Sequence, residues 1–371
     1  MTSRDISEET AQLSADLLDC DRNDYAKVNE IIDRIAELVP IHIKTSNNQY
    51  LYEDDFAGSN QKDLYNGSVT VHGLSQLQRT CTPWLVSLLN KPPRLPDMVK
   101  DSNELDVFTD RLSSIISLLC GRAAIGECTT TWNFQTTGNY SIMETTFTEA
   151  EIGFQTWGSG VLLAKMIDQK VIDVAGQNVL ELGCGTGLSG LVAARSGAKL
   201  VVLTDYHPVV LSNVERNVEA NNVESNAKVV KLDWLSSLSK EARKEFETRT
   251  TIHGGDVETP EQVSVYVHED EVENPILTNT DFRLVIAADC IFDIMHSILV
   301  PKVAKRYLSK HIDARLLILI PHREKFKAEI AAFEENMLAE AWILEFSKWI
   351  EKSTINFKYY IYKLDQHSSN C

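Results

Sequence analysis

Residues 179–191 read VLELGCGTGLSGL: an apolar run, then Gly183, Gly185 and Gly187 at alternate positions, then a second apolar run. The first run has the character of a buried strand and the second opens a helix. Between them, glycines let the backbone turn sharply and approach a ligand with no Cβ in the way. Two ligand classes fit this spacing. Gly185-x-Gly187-x-x-Gly190 satisfies the dinucleotide fingerprint, and Asp205 follows Gly185 by 20 residues. Glu181 argues for the other class. A carboxylate two residues before the first glycine suits a cationic amino-acid group better than a pyrophosphate, and the loop holds no Lys or Arg to assist a phosphate.

Working outward, βα units alternate from residue 150 onward. Strands are expected over 178–183, 199–205, 227–233, 283–289, 315–320, 342–348 and 357–364, with helices over 188–196, 208–221, 294–309 and 324–340. Central strands this apolar belong to a parallel sheet buried on both faces. No helix separates the last two, so the final strand is expected to run antiparallel. Upstream, 129–134 and 140–147 flank a Gly-Asn turn and read as a β-hairpin lead-in. Residues 1–125 are expected to be mainly helical, with apolar stripes in 21–39 and 104–120 and the breaker KPPRLP between them. The expected fold class is therefore α/β, in two parts: a helical region 1–125 and a sheet domain 126–371 interrupted by an insertion, 235–280.

Composition excludes several classes of function. Of 371 residues 43% are apolar, enough for a large core. Asp plus Glu number 53 against 36 Lys plus Arg, a net charge of −17. Such a surface repels phosphate backbones, so no nucleic-acid partner is expected, whereas a basic protein is a fitting one. From 254 to 281 there are eight acidic residues and no Lys or Arg. This stretch reads as a solvated loop, with guidance of a basic target as the sharper alternative. Seven scattered cysteines form no metal-ligand spacing, so no metal is expected and reduced thiols of a cytoplasmic protein are. The start of the chain has no secretory pattern, and the longest aliphatic run, 316–320, is far short of the roughly 20 residues a membrane helix needs. A monomer is assumed.

The glycine loop and the following TDYHPVVLSNVERNVEAN resemble the class I, seven-strand S-adenosylmethionine-dependent methyltransferases, whose sheet is Rossmann-like. Four further elements are similar to the family-16 non-histone protein-lysine methyltransferases: Gly153-x-x-x-Trp157, Asn213-x-x-x-Asn217, Leu232-Asp233-Trp234, and Asp289-x-x-Phe292. The resemblance covers about residues 129–365. It implies S-adenosylmethionine as cofactor and a lysine ε-amine of a cytosolic protein as acceptor. Because relatives with large N-terminal regions act on translation elongation factors, elongation factor 2 is the target class it points to. Histidine or small-molecule acceptors, an inactive binding module and a nicotinamide oxidoreductase are the alternatives.

In that resemblance Gly183, Cys184, Gly185 and Gly187 cradle the cofactor and Glu181 faces its methionine end. Asp205 receives the ribose hydroxyls, Asp233 accepts from the adenine amine, and Trp234 and Trp157 stack or close over it. Asp289 binds and orients the incoming amine, and Phe292, where many relatives have Tyr, lines its channel. His322 and Arg323, after the next strand, could orient the substrate backbone, but are read as having no functional role.

Overall fold

The computed structural model describes residues 3–21, 24–52, 71–90, 102–119, 126–238, 274–352 and 355–365. The chain divides into two compact units, Met1–Gly126 and Glu127–Cys371. Most of the insertion, residues 239–273, including the greater part of its acidic stretch, and the KPPRLP segment lie outside the described residues.

The first unit contains helices α1 (Ser3–Asp19), α2 (Tyr25–Tyr52), α3 (Val71–Asn90) and α4 (Ser102–Leu119). Val28, Ile31, Ile32, Ile35 and Leu38 form the buried stripe of α2, and Phe108, Leu112, Ile115 and Leu119 that of α4. Residues at these spacings share one helix face, so burying it is what holds the helices together. Arg34 of α2 ties to Glu9 and Asp16 of α1, and Arg111 of α4 to Asp33 of α2. Periodicity marks α2 and α4 but not α1 or α3. Among the described side chains α1 buries only Leu13 and Leu17, and α3 carries Gly73 and Pro83, which argue against a helix on propensity alone.

The second unit opens with the hairpin β1 (Cys128–Phe134) and β2 (Gly138–Glu144), paired from Cys128↔Glu144 to Phe134↔Gly138. β2 stops before 145–147, short of the expected end, because the buried Glu144 carboxylate accepts the Thr156 N–H at 2.7 Å and the chain turns into α5 (Phe147–Ala150). Then follow α6 (Gly158–Asp168), β3 (Asn178–Leu182), α7 (Leu188–Arg195), β4 (Leu200–Asp205), α8 (Pro208–Ala220), β5 (Ala227–Lys231), α9 (Pro275–Asn279), β6 (Leu284–Ala288), α10 (Ile294–Tyr307), β7 (Arg315–Pro321), α11 (Lys327–Ala339), β8 (Trp342–Ile350) and β9 (Phe357–Leu364).

The seven-stranded sheet has the order β5-β4-β3-β6-β7-β9-β8. β3 to β7 are parallel, and β9 runs antiparallel to both β7 and β8. Val179, Leu180, Val285, Ile286, Leu316 and Leu319 are fully buried, as a sheet covered on both faces requires. β8 forms the edge and leaves Ile343, Leu344, Phe346 and Trp349 exposed, with an irregularity between Leu344 and Phe346 that breaks its pairing register. After β3 the chain winds to one side through β4 and β5, then returns to lay β6 on the other side. The crevice beyond the carboxyl ends of β3 and β6 is thus the switch point, where ligands bind in open α/β sheets.

Candidate active site

A cavity of about 470 Å³ opens at that switch point, a volume within the range of small-molecule sites. It brings together Gly183, Gly185, Asp205, Asp233, Trp234, Trp157, Asp289 and Phe292. Glu181, Cys184 and Gly187 are not on its wall.

The glycine loop explains the difference. Gly183, Gly185 and Gly187 take φ of +64°, +53° and +84°, a region L side chains rarely adopt. A Cβ on Gly187 would meet Leu203 and Val214 at 3.1 Å, so this glycine serves the packing of the loop on β4 and α8. A Cβ on Gly185 would meet nothing within 4 Å, because that side faces the open cavity. Cys184 donates its N–H to Thr204 O at 2.9 Å, and burial pushes its thiol well above the usual range.

Glu181 is 2% exposed and lies under α7, off the cavity wall. Ser189 Oγ donates to its Oε1, while Oε2 is buried with no hydrogen-bond partner. A Cβ on Gly190 would sit 2.5 Å from that oxygen. Burial pushes the Glu181 carboxyl up to about 7, against the opposing bond from Ser189.

Asp205 ends β4, its Oδ1 accepting the N–H groups of Tyr206 at 2.8 Å and His207 at 3.2 Å, its Oδ2 that of Gly185 at 3.3 Å. The same carboxylate therefore steadies the turn into α8 and the glycine loop. Burial raises its pKa, and these three N–H groups oppose the rise. Asp233 Oδ1 accepts from Leu235 N–H at 2.9 Å, which fixes the turn that carries Trp234. The Trp234 indole lies across Gly183, where a Cβ would come within 3.3 Å of its ring. Trp157 donates Nε1–H to Ile152 O at 2.9 Å and so pins the 152–157 segment along one wall.

Asp289 follows β6 at φ +59°, a strained value for a non-glycine residue. Its N–H donates to Leu319 O at 3.0 Å on β7. Arg323, read from sequence as having no functional role, grips this carboxylate through both guanidinium nitrogens, at 3.1 and 3.2 Å. Burial raises the Asp289 pKa, and Arg323 and Ser159 oppose it. His322 sets its ring edge-on to Trp349 at 5.2 Å.

Sequence reasoning passed over two residues besides Arg323. Ser159, at the start of α6, donates to Asp289 Oδ2 at 3.2 Å. His296 sits on the cavity wall between Phe292 and Trp234, edge-on to both at 4.5 and 5.3 Å. Burial holds its pKa below the usual histidine value, and its Nδ1 has no hydrogen-bond partner. Phe292 lies just before Asp293, the N-cap of α10, and His296 is in the first turn of that helix, a juxtaposition that helical spacing alone does not announce.

These residues fit S-adenosylmethionine. Gly185 leaves a cradle that a Cβ would fill, Asp205 and Asp233 present carboxylates at the ends of neighbouring strands, and aromatic rings flank the space between. Among the described residues no His, Cys, Asp and Glu group could hold a metal ion, and no helix is long and apolar enough to cross a membrane.

The comparisons with known proteins agree with this site. The family described as lysine methyltransferase matches residues 138–257. The protein-lysine N-methyltransferase rrg1 of Schizosaccharomyces pombe is 27% identical over 260 residues, 68% of this chain and 73% of that protein. The protein N-lysine methyltransferase METTL21A of Mus musculus is 36% identical over 104 residues, 27% of this chain but only 45% of that protein. Among solved structures, the 16S rRNA methyltransferase RsmC of T. Thermophilus, in complex with AdoMet and guanosine, gives a TM-score of 0.39 at 14% identity over 65% of this chain and 51% of that one. With a glycine loop at the switch point and the reversed last strand, the chain is an S-adenosylmethionine-dependent methyltransferase, similar over residues 138–257 to the lysine methyltransferase family and over most of its length to rrg1.

Proposed function

We propose that the chain methylates the ε-amine of a lysine in a cytoplasmic protein, with translation elongation factors, elongation factor 2 among them, as the target class. The observation that carries this reading is the meeting of Asp289, Phe292 and Trp157 on one cavity wall with the glycine loop. When bound, the cofactor supplies a methyl group made electrophilic by a sulfonium. Gly183 and Gly185 let the backbone approach it, Asp205 accepts from its ribose, and Asp233 and Trp234 hold the base. Phe292 and Trp157 form the apolar walls beside the acceptor chain, and Asp289 orients the nitrogen.

The nitrogen must arrive with its lone pair free, since a C–N bond forms as the C–S bond breaks. Lysine in water has a pKa near ~10.4, so only a small fraction is neutral at pH 7. Positioning and exclusion of water then supply most of the acceleration, with no strong base needed. Choosing one lysine on a folded protein asks for a second recognition surface. The helical unit Met1–Gly126 is our assignment for it.

The test is incubation of the purified chain with radiolabelled S-adenosylmethionine and a cytosolic extract lacking the endogenous enzyme. A labelled protein band whose methyl group maps to lysine is expected. Label on histidine or on a small molecule overturns the reading.

A further inference from the structure

Asp289 is 8% exposed, and both of its oxygens are engaged. Arg323 donates to Oδ1 and Oδ2, and Ser159 adds a bond to Oδ2. The guanidinium also lies over the Trp157 ring at 5.4 Å and the Phe326 ring at 5.9 Å, so it is held from more than one side. A carboxylate closed in this way has no net charge left to offer an ammonium ion. An ammonium entering beside it would meet the Arg323 cation. Pulling Arg323 away would leave a buried carboxylate to be paired anew. A neutral amine meets neither penalty.

We propose that Arg323 is a positioning residue which, by closing Asp289 into a neutral pair, makes the site admit the target lysine as its neutral amine and refuse the ammonium form. The inference deepens the lysine-transfer reading above and rests on it. It assigns the loss of the lysine proton to entry into the site, with the proton left in bulk water, so that the nitrogen reaches the methyl group with its lone pair free.

The surrounding groups leave a clean pH window. Cys290, beside Asp289, has its thiol pushed up by burial and stays neutral. Glu324, next to Arg323, is tied to Lys327 at 2.6 Å, and His322 packs on Trp349. Asp293 is exposed and caps its own helix through the Met295 N–H. His296 is neutral above pH 7 because burial lowers its pKa. Glu181 on β3 titrates at about 7, and Asp205 on β4 starts from a carboxylate value that burial raises.

The test uses n-butylamine as a lysine side-chain probe with the full chain saturated by S-adenosylhomocysteine. For wild type, the apparent affinity for total amine should rise about tenfold from pH 8 to pH 9, following the neutral fraction. Calorimetry in buffers of different ionisation enthalpy should show about one proton released per amine bound. Arg323→Gln frees Asp289 to pair with the ammonium, so affinity at pH 8 should increase and vary by less than about twofold over the same interval. If Arg323→Gln melts too low to assay, Asp289→Asn gives the complementary reading. With Arg323 uncompensated, the wild-type slope is kept and affinity at pH 8 drops. A flat wild-type profile, no amine bound up to pH 10, Arg323→Gln with the wild-type slope, or Asp289→Asn with unchanged affinity overturns the proposal. A chain that binds no S-adenosylhomocysteine at the outset defeats the transfer reading itself.

Discussion

Asn217 treats Met143 as a neighbouring strand would: its Oδ1 accepts the Met143 N–H at 2.8 Å and its Nδ2 donates to the Met143 carbonyl at 3.0 Å. The same Nδ2 donates to Thr186 O in the glycine loop at 3.0 Å. One helix turn on, Asn221 repeats the pattern on Ser141, and one turn back Asn213 adds a bond to Met143 O. The Asn213-x-x-x-Asn217 element therefore binds the hairpin to α8 and α8 to the cofactor loop. Hairpin and loop are mechanically one piece.

Asn217→Ala strips the side-chain partner from the Met143 N–H and from the Thr186 carbonyl, which costs about 2–3 kcal/mol of stability, since unmet buried polar groups are expensive. S-adenosylhomocysteine affinity should fall with it, because Thr186 is released. Thermal melting with and without that ligand checks both effects. A variant that melts lower yet binds as wild type would confine Asn217 to holding the hairpin.

Asp205→Ala removes the carboxylate proposed to accept from the ribose and also the clamp on Gly185. We expect S-adenosylhomocysteine to bind more weakly by about 2 kcal/mol, roughly thirtyfold. NAD should not bind to wild type or variant. Calorimetry decides, and NAD binding in place of S-adenosylhomocysteine would reinstate the dinucleotide reading that the glycine spacing alone permits.

Phe292→Tyr adds a hydroxyl to a ring already fixed edge-on to His296. Cofactor affinity should not change and transfer should continue. The number of methyl groups placed on the lysine should shift, because a hydroxyl can hydrogen-bond the amine and restrict its rotation. Mass spectrometry of the modified target measures this, and an unchanged distribution removes position 292 from control of methylation degree.

Local chemistry wrote most of this fold legibly. The strand after which Gly183 turns, the reversal of the final strand and the hairpin all follow from apolar runs and turn residues. Legibility failed where structure depends on distant partners. Asp289 and Arg323 are 34 positions apart and meet only because β6 and β7 pair with Ala288 opposite Leu319. Glu181 sits in the loop motif and so reads as a ligand contact. Its place under α7 follows from the closeness of Gly190 to its carboxylate, a packing fact no spacing announces. Asp289 ends its strand at positive φ without being glycine, so nothing in the sequence marks the turn.

Glu181 gives the last expectation, a dependence of stability on pH. Its carboxyl stands at about 7 in the folded chain, against 4.5 for a free glutamate side chain, chiefly through burial. Between those values the folded state holds a proton that the unfolded chain has lost. Stability contributed by this residue is therefore complete below pH 4.5, falls as pH rises through the window, and levels off above about 7. The full loss is about 3 kcal/mol. Glu181→Gln keeps the shape, still accepts from Ser189 and cannot ionise. Denaturation midpoints of the two proteins should nearly coincide at about pH 5 and diverge toward pH 8, the glutamine variant being the more stable. Asp205 and Asp289 are raised in the same direction, but they titrate in both proteins and cancel from the difference. Parallel curves across the whole range would mean that Glu181 enters the fold already ionised. Its unmet oxygen would then be available to a cation, restoring the role toward the methionine amino group that its place beside the glycines implies.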